Sequence, residues 1–357
     1  MAWCGVESFL KASGPVVDVR SPCEFAKGHL PGALNLPLFT DPERERIGTT
    51  YRRQGREAAV SLGLRLVGGR LEELGQALRQ ALAGREADAT LRVHCWRGGL
   101  RSSSVAWLAE LLGLPVVLLE GGYKRFRRWA LEQFEQPRPL WVLAGRTGTG
   151  KTDLLLALAA MGEAVIDLEA LAHHRGSSFG GLGLPAQPSN EHYENRLALA
   201  LWNGRTAPTL WLEAESVQVG RCRIPAGLWR QMQRAPALAI ARPLSERLER
   251  LVAAYGPQGV EPLREATLRI ARRLGPERTH LALEAIERSD WAGACRQMLD
   301  YYDRCYDHDV QRRGGGPVPQ LQVGGLGDAE AAWMVLQRRR QAATAGDGLR
   351  EEGKASA

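Results

Sequence analysis

Residues 140–160 constrain the fold more than any other stretch. The apolar run Leu140-Trp141-Val142-Leu143-Ala144 leads into Gly145-Arg146-Thr147-Gly148-Thr149-Gly150-Lys151-Thr152, and an apolar helical pattern follows from Asp153. A G-x4-G-K-T pattern between a buried strand and a helix demands an α/β layer with a parallel sheet. Gly145, Gly148 and Gly150 let backbone N–H groups close around phosphate oxygens, Lys151 supplies a point charge, and the Thr152 hydroxyl can reach Mg²⁺. Only five of the 47 basic residues are lysines, so a lysine at this position is informative.

A second strand–loop–helix unit lies upstream. Leu91-Arg92-Val93-His94 reads as a buried strand, Cys95-Trp96-Arg97-Gly98-Gly99 as a tight loop, and the residues from Leu100 as a helix with Ser102-Ser103-Ser104 as its expected cap. A cysteine opening such a loop meets backbone N–H groups and the positive end of the helix dipole. Arg97 and Arg101 add positive charge, and each influence favours the nucleophilic thiolate. The alternative is a small buried apolar residue at a strand end. Cys95, Arg97 and Arg101 are the candidate catalytic residues.

A chain of 357 residues has room for two cores, and its 44% hydrophobic and 24% charged content is that of a globular protein. The six cysteines are scattered without a CxxC pair, so reduced thiols are expected, with neither a disulfide framework nor a zinc site. No apolar run is long enough to span a membrane and no signal peptide opens the chain, so a cytoplasmic location is expected. The net charge of +7 permits a polyanionic partner. The boundaries expected are a first domain at 1–136, a second at 137–343 with an Arg-rich helical region, and a disordered tail at 344–357.

Other stretches divide between structural and functional readings. Asp18 and Arg20, in the short buried strand at 16–21, are read as structural, as is His29, with Arg20 a candidate for the mouth of the cysteine site. Residues 41–58 form a charged insertion, either a solvated loop and helix start or a surface whose Tyr51, Arg52, Arg53 and Gln54 touch a polyanion. After a strand at 116–119, Phe126 and Trp129 are expected to pack inward. Lys124, Arg125, Arg127 and Arg128 are left as candidate RNA contacts. A strand at 164–167 ends at Asp167 and one at 209–216 carries Glu213 and Glu215 at its end, and these three acids compete for Mg²⁺. His173 and His174 suggest no metal, since adjacent histidines point apart on a helix. His174 and Arg175 are further candidate RNA contacts. Residues 222–313 are expected as helices, 314–317 as a turn, and a last short strand and helix complete the domain.

Taken together, D-V-R-S-P-x-E-F (18–25), G-H-L-P-G-A-L-N-L-P (28–37) and C-x5-R-S (95–102) resemble the rhodanese (sulfurtransferase) domain, an α/β unit with a parallel sheet. The fold expected is thus a rhodanese-like domain followed by a P-loop NTPase-like α/β domain with an additional helical segment. Over residues 5–340 the sequence resembles the bacterial tRNA 2-selenouridine synthase family. That match rests on I-G-T-x-Y-x-x-Q-G (47–55), R-G-G-x-R-S (97–102), E-G-G-Y-K (120–124), D-L-E-x-L-A-x-H-R-G-S-x-F-G (167–180), E-N (194–195), E-x-E-S (213–216) and Y-Y-D-x-x-Y (301–306). Tyr193 stands where Phe is usual, and Ala214 where Asp is expected.

The resemblance implies an enzyme that converts 2-thiouridine to 2-selenouridine at the tRNA wobble position through an S-geranyl-2-thiouridine intermediate. Its substrates would be geranyl diphosphate and selenophosphate, with no tightly bound cofactor and Mg²⁺ as an accessory ion. Its partners would be tRNA and the enzyme that supplies selenophosphate. Cys95 would take selenium as a perselenide while the loop amides and Arg101 hold the leaving phosphate, and the 145–152 loop would cradle the prenyl diphosphate. The rival readings are a cysteine-dependent phosphatase or sulfurtransferase fused to a P-loop nucleotidase, and a non-catalytic RNA-binding regulator.

Overall fold

The computed structural model describes residues 1–311 and 318–355, so the expected turn at 314–317 lies outside the described residues. The chain divides into two compact units. The first comprises Met1–Phe134 and Ser189–Leu199; the second comprises Glu135–Pro188 and Ala200–Ala357. Residues 189–199, which sequence order gives to the second domain, therefore pack with the first.

The first unit runs β1 (Ala2–Cys4), α1 (Val6–Lys11), β2 (Val16–Asp18), α2 (Pro22–Lys27), β3 (Leu34–Asn35), α3 (Asp41–Gly68), α4 (Leu71–Leu82), β4 (Leu91–His94), α5 (Leu100–Leu111), β5 (Val116–Leu119) and α6 (Gly122–Gln133). Its five strands pair in the order β1-β5-β4-β2-β3, all parallel. Val17, Leu91, Val93 and Leu118 of the central strands form the core with Val105, Ala106 and Ala109 of α5. The charged insertion is not a loop. Residues 41–68 are helical on both sides of a break at Gly55, whose φ of 86° is one that glycine adopts without strain. Thr40 and Glu43 make a capping box that starts this helix.

The second unit continues with β6 (Leu140–Gly145), α7 (Lys151–Ala160), β7 (Ala164–Ile166), α8 (Leu168–Ala172), α9 (Asn190–Asn203, begun in the first unit), β8 (Leu210–Glu213), the hairpin β9 (Gln218–Val219) and β10 (Cys222–Arg223), and α10 (Ala226–Arg234). Then come β11 (Ala237–Ala241), α11 (Leu244–Tyr255), α12 (Val260–Leu274), α13 (Pro276–Glu287), α14 (Trp291–Gln311), β12 (Gln320–Gln322) and α15 (Asp328–Ala355). The sheet order is β12-β11-β6-β8-β7, again parallel throughout.

Residues 222–313 are thus not wholly helical. β11 is a central strand beside β6, and its Ala-rich sequence hides it because alanine favours helices while complete burial suits this strand. The remainder, α12–α14, has its own core of Leu263, Ala266, Ile270, Ala282, Ile286 and Met298. The backbone of α15 carries through 344–355, assigned above to a tail, where Leu349, Arg350, Glu351 and Glu352 favour helix; residues 356–357 lie outside the described residues. Among the described residues no helix is long and apolar enough to cross a membrane.

Candidate functional site

In the first unit, β4 delivers Cys95 to the end of the sheet and the loop turns directly into α5. Cys95 is buried, and the Gly99 N–H and the Ser102 hydroxyl each lie 3.3 Å from its Sγ. Burial by itself pushes the Cys95 thiol up. The Ser102 hydroxyl, the Gly99 N–H and the Arg101 charge outweigh it and hold the thiol below its ordinary value. The helix begins earlier than the serines suggest. Gly99 is the N-cap without a side-chain cap bond, and the Ser102 and Ser103 hydroxyls instead donate back to the Gly99 carbonyl at 3.0 and 3.3 Å. Ser102, expected only as a cap, also has its hydroxyl oxygen 3.3 Å from the sulfur.

The E-G-G-Y-K stretch holds this loop in place. Tyr123 N–H donates to the Cys95 carbonyl at 2.8 Å and Lys124 N–H to the Trp96 carbonyl at 2.9 Å. Gly122 has a φ of 57°, and a Cβ there would come within 2.5 Å of the Cys95 carbonyl oxygen, so only glycine permits the approach.

Arg101, expected to hold the leaving phosphate, has its Nη1 paired with Glu24 Oε2 at 2.6 Å. Arg97 is exposed. Arg20 does not line a mouth. It is buried, chelates Asp18 at 2.6–3.0 Å, donates to the Gly28 carbonyl and stacks 3.8 Å from the Tyr123 ring centre. Burial raises the Asp18 carboxyl, but His94 and Arg20 outweigh it and keep it below its ordinary value.

The candidate RNA contacts separate by environment. Lys124, Arg125 and Arg128 are exposed on α6, and Arg52 and Arg53 are exposed on α3. Arg127 is withdrawn from that set, because its guanidinium binds Asn195 Oδ1 at 2.6 Å and Glu194 Oε2 at 2.5 Å. The E-N pair is therefore a clamp within the first unit, and Asn195 also donates to the Tyr123 hydroxyl at 2.8 Å.

In the second unit the 145–152 loop joins β6 to α7, and Lys151 Nζ donates to the Gly145 carbonyl at 3.1 Å. Sequence reading missed the arginines that brace this loop. Arg242 Nε donates to the Thr149 carbonyl at 3.1 Å and Arg247 Nε to the Thr147 carbonyl at 2.8 Å. Arg250 packs where a Cβ on Gly150 would fall. Thr149 N–H donates within the loop to the Arg146 carbonyl at 3.2 Å, and with the Thr147 and Thr149 carbonyls tied the remaining loop amides are left for an anion.

Thr152 Oγ1 donates to Glu169 Oε2 at 3.1 Å, and Glu169 N–H donates to Glu213 Oε1 at 3.0 Å. Of the three acids considered, Asp167 caps α8 through Ala170 N–H, Glu213 is buried behind Glu169, and Glu215 lines the cavity. The residue that touches the loop threonine is the unforeseen Glu169. Burial, with Glu169 and Asp167 close by, pushes Glu215 up to about 8, and the Glu213 and Glu169 carboxyls are raised for the same reasons. The Glu213 Oε2 has no hydrogen-bond partner among the described residues. Among the described residues no three ligating side chains converge as a preformed metal site.

The loop opens on a cavity of about 720 Å³ that also takes in Arg175, Glu215, Leu251, Tyr255, Tyr302 and Tyr306. Arg175 thus belongs to this cavity, and its Nη1 is bound to the Leu182 carbonyl. His174 is half-buried, and desolvation lowers its basicity. A narrow apolar cavity of about 50 Å³ shares Thr147, Leu251, Tyr255 and Tyr302 with the first and runs in among Phe179, Trp291 and Met298.

Comparison with known proteins matches residues 138–322 to the tRNA 2-selenouridine synthase AAA domain and residues 6–128 to the rhodanese-like domain. The chain is 39% identical over 334 residues to a tRNA 2-selenouridine synthase of Bordetella bronchiseptica, covering 84% of this chain and 89% of the relative. It is 39% identical over 341 residues to that of Hahella chejuensis, covering 85% and 87%, and 36% identical over 343 residues to that of Shewanella denitrificans, covering 85% and 90%.

Proposed function

This chain belongs to the tRNA 2-selenouridine synthase family, and we propose that it replaces the C2 sulfur of wobble 2-thiouridine in tRNA by selenium through an S-geranyl intermediate. The observation that carries this reading is one chain holding both a thiolate-stabilising anion loop and a phosphate loop whose cavity extends into apolar walls. Geranyl diphosphate has the matching halves, a diphosphate for the 145–152 amides and Lys151 and a C10 tail for the wall at Leu251, Tyr255 and Tyr302. S-alkylation converts a poor leaving group at C2 into one that departs as a thiolate.

Selenophosphate supplies the selenium. Cys95 Sγ attacks C2, the C2–S bond breaks and geranyl thiolate leaves and takes a proton. The selenium of selenophosphate then displaces Cys95 from C2, and water cleaves the Se–P bond to give phosphate. Electrons balance in this course without an oxidant. A Cys95 perselenide with phosphate as the leaving group, the expectation from the sequence, instead needs a two-electron oxidant to form its S–Se bond and a second thiol to break it, so dependence on oxidant and added thiol separates the two courses. Thr152 and Glu169 are the residues that would hold Mg²⁺, which would supply charge neutralisation for the diphosphate; raised carboxyl pKa values and the orphaned Glu213 oxygen suit a cation nearby. We place the enzyme in the cytoplasm with its tRNA substrate and the enzyme that makes selenophosphate.

The test follows tRNA nucleosides through both steps. Lys151→Ala removes a charge-assisted contact of about 1.5–3 kcal/mol, so donor affinity for S-geranylation falls by roughly one to two decades while pre-geranylated RNA is still selenated. Cys95→Ser geranylates normally and forms no 2-selenouridine. Normal prenylation by the first variant at low donor concentration, or substantial selenation by the second, overturns the corresponding assignment.

A further inference from the structure

An apolar groove of about 660 Å³ lies in the first unit between α3 and α5, and nothing in the reaction so far uses it. Leu64 and Trp107 face it while 70% and 53% exposed, a costly way to leave large apolar side chains in water. Leu100, also 54% exposed on this groove, immediately follows Gly99, whose N–H is bound to the Cys95 sulfur. The α3 wall also carries Ile47 and Tyr51 from the I-G-T-x-Y stretch, which composition alone divides between solvated surface and polyanion contact.

We propose that this groove holds the geranyl tail of S-geranyl-2-thiouridine while its C2 atom is exchanged at the Cys95 loop. The proposal rests on the S-geranyl route proposed above. The chemistry of the intermediate commits the occupant, since the exchange site must receive a nucleotide that carries a C10 hydrocarbon on the sulfur being expelled. Left in water, that tail would oppose presentation of the base. The groove has the volume of a small-molecule site, its walls are mainly apolar, and it is continuous with the cysteine loop through Leu100 and Arg101. Arg56 and Arg101 are the cations on the same lining, which suits a tail tethered to a phosphodiester chain. The geranyl group then acts as a handle as well as a leaving group. The break at Gly55 lets Ile47 and Tyr51 on one side and Leu64 on the other share this wall.

The experiment compares selenation of two anticodon stem–loop RNAs, one with S-geranyl-2-thiouridine and one with S-methyl-2-thiouridine, by the full-length protein supplied with selenophosphate. The wild type is expected to prefer the geranyl substrate by about 100-fold in kcat/KM. Leu64→Glu and Trp107→Ala, both at well-exposed positions that tolerate substitution, are each expected to reduce that preference about tenfold, mainly through KM. The S-methyl rate and the preceding geranylation step stay as in the wild type. Variants that retain the full preference while the wild type turns over S-geranyl RNA overturn the groove assignment and leave the route standing. A wild type that makes selenouridine from 2-thiouridine yet rejects S-geranyl RNA overturns the route and the groove together.

Discussion

Arg101 Nη1 lies 2.6 Å from Glu24 Oε2, so the cation that closes the cysteine loop already carries a carboxylate partner. The pair softens the field at Cys95 without cancelling it, because Arg101 still holds the thiol down.

Arg101→Ala is therefore expected to move the Cys95 thiol back up, lowering its thiolate fraction and slowing its alkylation at pH 7 a few-fold. Glu24→Gln removes the neutralising carboxylate and moves the inflection the other way. Iodoacetamide labelling of the Cys95 peptide across a pH series reads both. Superimposable profiles for all three proteins would show that Arg101 does not act on the sulfur.

Glu215, pushed up to about 8, sets the pH response of the second unit. A carboxyl with a raised folded-state pKa binds more protons folded than unfolded. Stability therefore falls as pH rises from the ordinary carboxylate range, near 4, to about 8. Glu213 and Glu169 act with the same sign. Glu215→Gln is expected to flatten this slope, and Mg²⁺ to restore stability most at the alkaline end. Melting temperatures over that range, with and without Mg²⁺, give the answer, and a slope unchanged in the variant counts against the acid cluster.

Arg127 and Arg128 are neighbours in sequence with opposite environments, one clamped by Glu194 and Asn195 and one exposed. Each phosphate contact contributes roughly 0.7–0.9 to the log–log salt slope of tRNA binding, so Arg125→Ala/Arg128→Ala is expected to flatten it by more than one unit. Arg127→Ala leaves the slope alone and destabilises the first unit by about 1–3 kcal/mol, since two acceptors lose their donor. Titrations against salt and a denaturant melt distinguish them. A flattened slope for Arg127→Ala would return that residue to the RNA surface.

Both strand–loop–helix units were legible because their chemistry is local: glycines, a cysteine or lysine, and apolar runs on either side. What lay hidden was held by distant partners. β11 reads as helix by composition and becomes a strand through burial beside β6. Glu169 meets Thr152 only once α8 is placed, and Arg242 and Arg247 find the phosphate-loop carbonyls from about a hundred residues away. Glu24 claims Arg101 across 77 positions, a pairing no spacing rule supplies.

The allocation of residues 189–199 to the first unit has a consequence for how the protein is made. A nascent chain emerging from the ribosome presents all strands of the first sheet by residue 119, yet Tyr123 and Arg127 await Glu191, Glu194 and Asn195. The first unit cannot finish folding until the phosphate loop has already been synthesised. Its completion during translation thus waits on synthesis of the first part of its neighbour, and a fragment ending at Phe134 would carry an unfilled seam.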